Sequence, residues 1–160
     1  DYGYVHKVSD FKFKKWVFEG CIKLQNMGFK LFIVTNQSGL GRGIFNQKQY
    51  SNLTKHYHNE LKMSGVIIEK IVNCPHTPDD NCICRKPNSY MIDQLVVEYN
   101  ISRSKSAMIG DKLSDIECAR KAGLRFKFFI KSDLNNTIIN KDFHTADNIL
   151  EVADFLENFT

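Results

Sequence analysis

The chain has 160 residues, 42% hydrophobic and 25% charged, with no low-complexity tract. That composition supports one globular core and argues against wholesale disorder. The net charge of +4 is compatible with an anionic small molecule. It falls short of the basic stripe of a nucleic-acid binder, and the close group Lys12, Lys14 and Lys15 reads as a solvated helix entry. No apolar run approaches a membrane span and no charged-then-apolar leader opens the chain, so a cytosolic location without membrane association is expected.

In chain order, Val17, Cys21 and Leu24 share one helical face, and Gly28 is placed to end that helix. Leu31 to Val34 is a solid apolar run, read as a strand buried on both faces. Asn46 with Gln49 forms a capping pair for a helix whose inner face is Tyr50, Leu53, Tyr57 and Leu61. The next strand lies around Ile71 and Val72. A helix lined by Met91, Ile92, Leu95, Val96 and Tyr99 starts near Ser89, after Pro87. Ala107 to Ile109 is a short buried strand, and Ser114 with Glu117 offers an S-x-x-E capping box for a helix that ends near Gly123. Phe126 to Ile130 is a strand, and Ile149, Val152, Ala153 and Leu156 face inward on a last helix. Strands alternating with helices predict α/β layers on a parallel sheet with right-handed crossovers, in a single domain over 1–160.

Three of the five cysteines crowd into Cys74-Pro-His76-Thr-Pro-Asp-Asp-Asn-Cys82-Ile-Cys84. In a reducing compartment such crowding favours metal over disulfide. Paired as C-x-H and C-x-C, the ligands suit a closed tetrahedral zinc site, structural because no position stays open. A chance cluster of buried thiols is the plain alternative.

Three strand ends carry polar residues, the place where parallel α/β folds put ligands. Thr35-Asn36-Gln37-Ser38-Gly39 can surround a phosphate with neutral donors, or serve as an ordinary turn. Arg85-Lys86-Pro87 follows the last thiol of the cluster and offers a fixed cation for a phosphoryl group, or surface charge. Gly110-Asp111-Lys112-Leu-Ser-Asp115 pairs a tight turn with a carboxylate, Asp111, suited to magnesium. Asp115 falls in the first turn of a helix, where the macrodipole favours an acid whether or not it has a function.

Together these residues resemble motifs two, three and four of the haloacid dehalogenase phosphatases: Thr35-Asn36, then Lys86, then Gly110-Asp111 with Asp115. The zinc loop running into Cys84-Arg85-Lys86-Pro87 is similar to two groups within that superfamily, the heptose 1,7-bisphosphate phosphatases and the histidinol-phosphate phosphatases. Asp1-Tyr2-Gly3-Tyr4-Val5-His6 looks like the D-x-G-Y-V-H segment of the heptose group, and Thr35 to Ser38 with Gly41-Arg42-Gly43 matches its second motif. The histidinol group tends to have aspartate where Ser38 stands.

The resemblance implies a Rossmann-like three-layer α/β sandwich with a zinc-stabilised loop. It implies magnesium as catalytic cofactor, held by Asp111, and zinc held by Cys74, His76, Cys82 and Cys84. Thr35 and Lys86 would stabilise the phosphoryl group. Asp1, Tyr2, Gly3, Tyr4, Asn36, Gln37, Ser38, Arg85 and Lys112 would join them in contacting substrate. The partner implied is a small sugar phosphate, bound by a monomer, in the supply of activated heptose for lipopolysaccharide or another surface glycan.

The superfamily's first motif, D-x-D-G-T on the central strand, supplies an aspartate nucleophile and an acid/base aspartate, and it does not occur in these 160 residues. The first residue is Asp1 rather than methionine. The nucleophile and the central strand are therefore expected upstream of Asp1, and the chain as written is expected to be inactive. The competing readings are a histidinol-phosphate phosphatase and a catalytically dead, zinc-stabilised sugar-phosphate or partner-binding domain.

Overall fold

The structure, a computed structural model, describes residues 3–131 and 142–159. Its helices are α1 (Val17–Asn26), α2 (Ser38–Gly41), α3 (Gln47–Met63), α4 (Tyr90–Tyr99), α5 (Leu113–Lys121) and α6 (Ile149–Glu157). Its strands are β1 (Leu31–Asn36), β2 (Ile68–Cys74), β3 (Ala107–Gly110), β4 (Phe126–Ile130) and β5 (His144–Ala146). The chain divides into two compact units, Asp1–Cys82 and Ile83–Thr160.

In the first unit α1 ends as its sequence dictates. Gly28 takes φ +89°, the left-handed conformation that lets Phe29 N–H return to the Leu24 carbonyl at 3.1 Å. Helix α3 opens on the expected capping box. The Asn46 side chain accepts from Gln49 N–H at 2.9 Å, and the Gln49 side chain accepts from Asn46 N–H at 2.8 Å. Strands β1 and β2 pair in parallel, from Leu31 opposite Ile68 to Asn36 opposite Cys74. Thr35-Asn36 and Cys74 therefore leave this sheet at the same end.

In the second unit β3, β4 and β5 form a parallel sheet in that order. Helix α5 packs on β3 and β4. Cys118 and Ala119 of the helix and Ala122 at its C-terminal cap meet Ile92 and Leu124, with Val96 and Met108 at the margin, while Ile116 joins Phe129 and Phe143. The small residues on α5 let the helix approach the strands closely, and Phe126 and Phe128 of β4 pack their rings against Phe155 of α6.

Three readings of the sequence need correction. The Ser114–Glu117 capping box does not form. Helix α5 begins at Leu113, so its third residue is Asp115, whose carboxylate reaches back to the Lys112 N–H at 3.1 Å, while Glu117 pairs with Arg120. Strands β1, expected to be buried on both faces, and β3, expected to be buried, are each half-buried along their whole length. Each is an end strand of its sheet among the described residues, whereas β4, flanked on both sides, is mostly buried. Finally, α2 and β5 are additions: four and three residues are too short to carry a hydrophobic period.

Burial removes Cys21 and Cys118 from water and pushes both thiols from 9.0 up to about 11. A raised folded value means the native chain keeps a proton that the unfolded chain releases. Their contribution is complete below pH 9 and is lost as pH rises toward 11. Tyr50 and Tyr57, also raised by burial, act in the same direction above pH 10. Urea midpoints should accordingly fall between pH 9 and 10 in the natural chain, and a Cys21→Ala/Cys118→Ala variant should show a flatter decline over that interval.

Candidate functional site

At the carboxyl end of β1, the Gln37 side-chain amide donates to Thr35 Oγ1 at 3.0 Å, and the Gln37 N–H reaches the Cys74 carbonyl at 2.7 Å. With one lone pair of Oγ1 filled in this way, the Thr35 hydroxyl retains its proton for an anionic oxygen. Ser38 is 5% exposed, and its Oγ lies 3.1 Å from the Tyr4 hydroxyl. The structure thus brings Tyr4, Thr35, Gln37 and Ser38 together around the turn that follows β1. Gly3 is exposed with φ +70°. Asn36 is the last residue of β1. Asp1 and Tyr2 lie outside the described residues.

The turn is held closely from below. Gly41 N–H bonds the Pro75 carbonyl at 3.0 Å, and a Cβ at Gly41 would come within 2.8 Å of that oxygen. The second motif and the start of the cysteine loop are therefore in backbone contact, which explains the need for glycine at 41.

Within that loop, Thr77 and Asp80 close a single 3-10 turn over Pro78–Asp80. Thr77 N–H donates to the Asp80 carboxylate at 2.7 Å and the Thr77 hydroxyl at 2.9 Å. These bonds hold the Asp80 carboxyl below its ordinary value. Cys74 Sγ lies 3.5 Å from both His76 Nδ1 and Cys82 Sγ, and the ligand atoms of Cys74, His76, Cys82 and Cys84 all lie within 4.8 Å of one another. Tetrahedral zinc with Zn–S bonds of about 2.3 Å sets sulfur pairs about 3.8 Å apart. Donor type and spacing both fit that ion.

Beyond the loop, Arg85 is half-buried and Lys86 is 9% exposed. Lys86 Nζ forms an ion pair with Asp115 Oδ1 at 2.7 Å, and Asp115 is 4% exposed. The other oxygen of Asp115 accepts the Lys112 N–H. Gly110 permits this arrangement, because a Cβ there would meet the Asp115 carboxylate at 2.3 Å. Asp115 is therefore committed to holding Lys86 and capping α5. Asp111, one residue past β3, stands exposed beside the exposed Lys112. A single carboxylate completed by phosphate oxygens and water is an ordinary magnesium set.

The sequence left Asp115 undecided between helix-cap and functional roles, and its partnership with Lys86 crosses 29 positions with no local periodicity to reveal it. It also passed over Phe45. That ring is 3% exposed and covers Gly39, where a Cβ would lie 2.1 Å from the ring edge.

This is the arrangement of a HAD-like phosphatase, and a family model described as HAD-hydrolase-like matches residues 83–151. A crystal structure of D,D-heptose 1,7-bisphosphate phosphatase from B. bronchiseptica, complexed with magnesium and phosphate, shares the fold. Its TM-score is 0.89 at 24% identity, covering 100% of this chain and 92% of that one. The D-glycero-alpha-D-manno-heptose-1,7-bisphosphate 7-phosphatase of Photorhabdus laumondii subsp. laumondii is 36% identical over 161 residues, spanning 92% of this chain and 88% of that protein. The D-glycero-beta-D-manno-heptose-1,7-bisphosphate 7-phosphatase of Helicobacter pylori is 37% identical over 158 residues, spanning 98% and 87%. The chain belongs to the D-glycero-D-manno-heptose-1,7-bisphosphate 7-phosphatase family of phosphoric monoester hydrolases.

Breaking a buried pair by removing one partner leaves an uncompensated charge, at a cost of about 3–5 kcal/mol, whereas replacing both partners with apolar residues is often neutral. Asp115→Ala should therefore lower the unfolding free energy by roughly that amount. Lys86→Met/Asp115→Leu should recover most of the loss, as read by urea denaturation.

Proposed function

We propose that this chain binds D-glycero-D-manno-heptose 1,7-bisphosphate and forms the phosphate-recognition part of a 7-phosphatase. The observation that carries the reading is the identity to two such phosphatases, 36% and 37% over most of both chains; the contact of Tyr4 with Ser38, residues of the two segments that resemble the heptose group, agrees with it. The product is a heptose 1-phosphate, a precursor of nucleotide-activated heptose for lipopolysaccharide or another surface glycan.

In this reading the Thr35 hydroxyl and the Lys86 ammonium stabilise charge on the transferring phosphoryl group. Asp115 keeps Lys86 in place. Asn36, Gln37, Ser38, Arg85, Lys112 and the segment Asp1 to Tyr4 contact substrate. Arg85 can do so through a planar fork matched to phosphate oxygens. Asp111 holds magnesium, whose charge neutralises phosphate oxygens. Cys74, His76, Cys82 and Cys84 hold a structural zinc that fixes the loop leading into Arg85 and Lys86. Five cysteines, none of them in a disulfide, suit the reducing cytoplasm, where we place the protein as a monomer without nucleic-acid or membrane partners. Among the described residues no helix is long and apolar enough to cross a membrane.

Turnover also needs a carboxylate nucleophile, which the D-x-D-G-T motif supplies in the resemblance and which these 160 residues do not contain. The half-burial of the apolar runs in β1 and β3, both end strands among the described residues, supports a further parallel strand carrying that motif. The 160-residue chain alone should then bind substrate without hydrolysing it.

The substrate test joins a strand ending in D-x-D-G-T ahead of the chain and follows phosphate release. The relatives are named for both anomers, so both are assayed. Heptose 1,7-bisphosphate should exceed histidinol phosphate in kcat/KM by at least about 100-fold, and Thr35→Ala or Lys86→Ala should lower kcat by about 100-fold. Equal or reversed specificity would move the assignment to histidinol phosphate.

For the metal, protein purified without chelator should carry one zinc per chain, and Cys82→Ser or Cys84→Ser should lose it together with thermal stability. Apparent binding energies of structural zinc are on the order of 10 kcal/mol, so a strong chelator should lower the melting temperature. Metal-free protein with an unchanged melting temperature would count against the zinc site.

A further inference from the structure

His6 has no role in the reading above, yet its contacts in the first unit are specific. Its Nδ1 lies 2.9 Å from the Tyr4 carbonyl oxygen. A carbonyl only accepts, so Nδ1 carries the proton and donates, and in the neutral ring Nε2 is the lone-pair nitrogen. The imidazole also stacks on Phe45, with centroids 5.6 Å apart and planes 9° from parallel. The Tyr4 ring leans on the same phenyl group at 58°, with centroids 6.5 Å apart.

Phe45 is itself immobilised. It is 3% exposed, its ring fills the space over Gly39, and the neighbouring Ile44 N–H returns to the Gly39 carbonyl at 2.9 Å. One ring therefore lies near the Tyr4 ring and over Gly39, the residue that follows Ser38. The His6 ring stacks on it, the Tyr4 ring leans toward it, and the Gly39 backbone lies against it. Two partly buried hydroxyls gain little from each other over water, so their pairing depends on restraint from the surrounding framework.

We propose that His6 and Phe45 are positioning residues that hold the Tyr4 hydroxyl on Ser38. The two oxygens then present a fixed donor–acceptor pair to the hydroxyl groups of a sugar phosphate. The claim rests on the sugar-phosphate reading above and deepens it. His6 acts through Tyr4, by fixing its main chain, and Phe45 acts by setting the distance between the Tyr4 and Ser38 segments. Such restraint lowers the ordering cost of binding without adding a ligand contact.

The test uses the 160-residue chain and has one arm without ligand and one with it. In the ligand-free arm, long-range proton–nitrogen NMR should show His6 as the Nδ1–H tautomer. A Tyr4 ring to Ser38 nuclear Overhauser contact should be present in the natural chain. His6→Asn keeps a donor where Nδ1 stood and should retain the contact, whereas His6→Ala should lose it. An Nε2–H tautomer, or a contact that survives His6→Ala, overturns the proposal whatever the ligand.

In the second arm, calorimetry follows binding of D-glycero-D-manno-heptose 1,7-bisphosphate with magnesium present. Tyr4→Phe and His6→Ala should each raise Kd about 10-fold, and the double variant should bind no more weakly than Tyr4→Phe alone. Additive losses would show that His6 acts independently of the Tyr4 hydroxyl and would overturn the proposal. If the natural chain binds no heptose bisphosphate, the substrate reading fails, and the ligand-free arm still decides whether His6 and Phe45 position Tyr4.

Discussion

A lysine ammonium at 9% exposure is stable only beside a partner, and in this chain the partner is a carboxylate 2.7 Å away. Much of the second unit follows from that contact. Asp115 must sit in the first turn of α5 to reach Lys86, so α5 must start at Leu113 and leave β3 through a turn with no side chain in the way. Gly110 meets that condition, and a methyl group there would occupy the space of the carboxylate. The same carboxylate caps the Lys112 N–H, so one side chain fixes both the helix start and the cation. Cys118, one turn further along α5, donates its thiol to the Asn88 carbonyl at 3.1 Å and ties the segment after Lys86 to the same helix.

The first unit solves a different problem. Its polar residues emerge from β1 as neutral groups, and they are oriented by one another and by backbone contacts. Gln37 fills a lone pair of Thr35, Tyr4 meets Ser38, and Gly41 lies against the Pro75 carbonyl. That last contact couples the second motif to the cysteine loop. The loop has little other regular structure: a single 3-10 turn capped by Thr77 and Asp80, and Asn81 in the left-handed region at φ 47°. An ion joining four side chains would supply the order that so short a segment cannot obtain from hydrophobic burial.

Much of this was legible before any coordinates, because local patterns carry local physics. The solid apolar runs at 31–34 and 107–109 mark strands, the Asn46–Gln49 pair marks a helix start, and the C-x-H and C-x-C spacings mark a cluster of three thiols and an imidazole. What the sequence concealed depends on distance along the chain or on shape. Ser114 and Glu117 satisfy the capping pattern, yet Asp115 takes the position because its carboxylate also has Lys86 to satisfy. Phe45 reads as one more aromatic residue, and only the missing side chain at Gly39 reveals where its ring must lie. Strand β5 has three residues, and no periodicity can be read over so short a span.

The strands that the sequence marked as most hydrophobic are not the most buried ones. Leu31 to Val34 and Ala107 to Ile109 are apolar without interruption, yet every residue of β1 and β3 remains half-exposed, while β4 between two neighbours is mostly buried. A run that is apolar on both faces is a costly choice for a half-exposed strand and a natural one for a strand inside a parallel sheet. Among the described residues each of β1 and β3 is an end strand, and its apolar run exceeds what its half-burial there calls for. Thr35, next to last in β1, and Asp111, one residue past β3, are also residues whose proposed chemistry calls for the D-x-D-G-T nucleophile, a motif absent from these 160 residues.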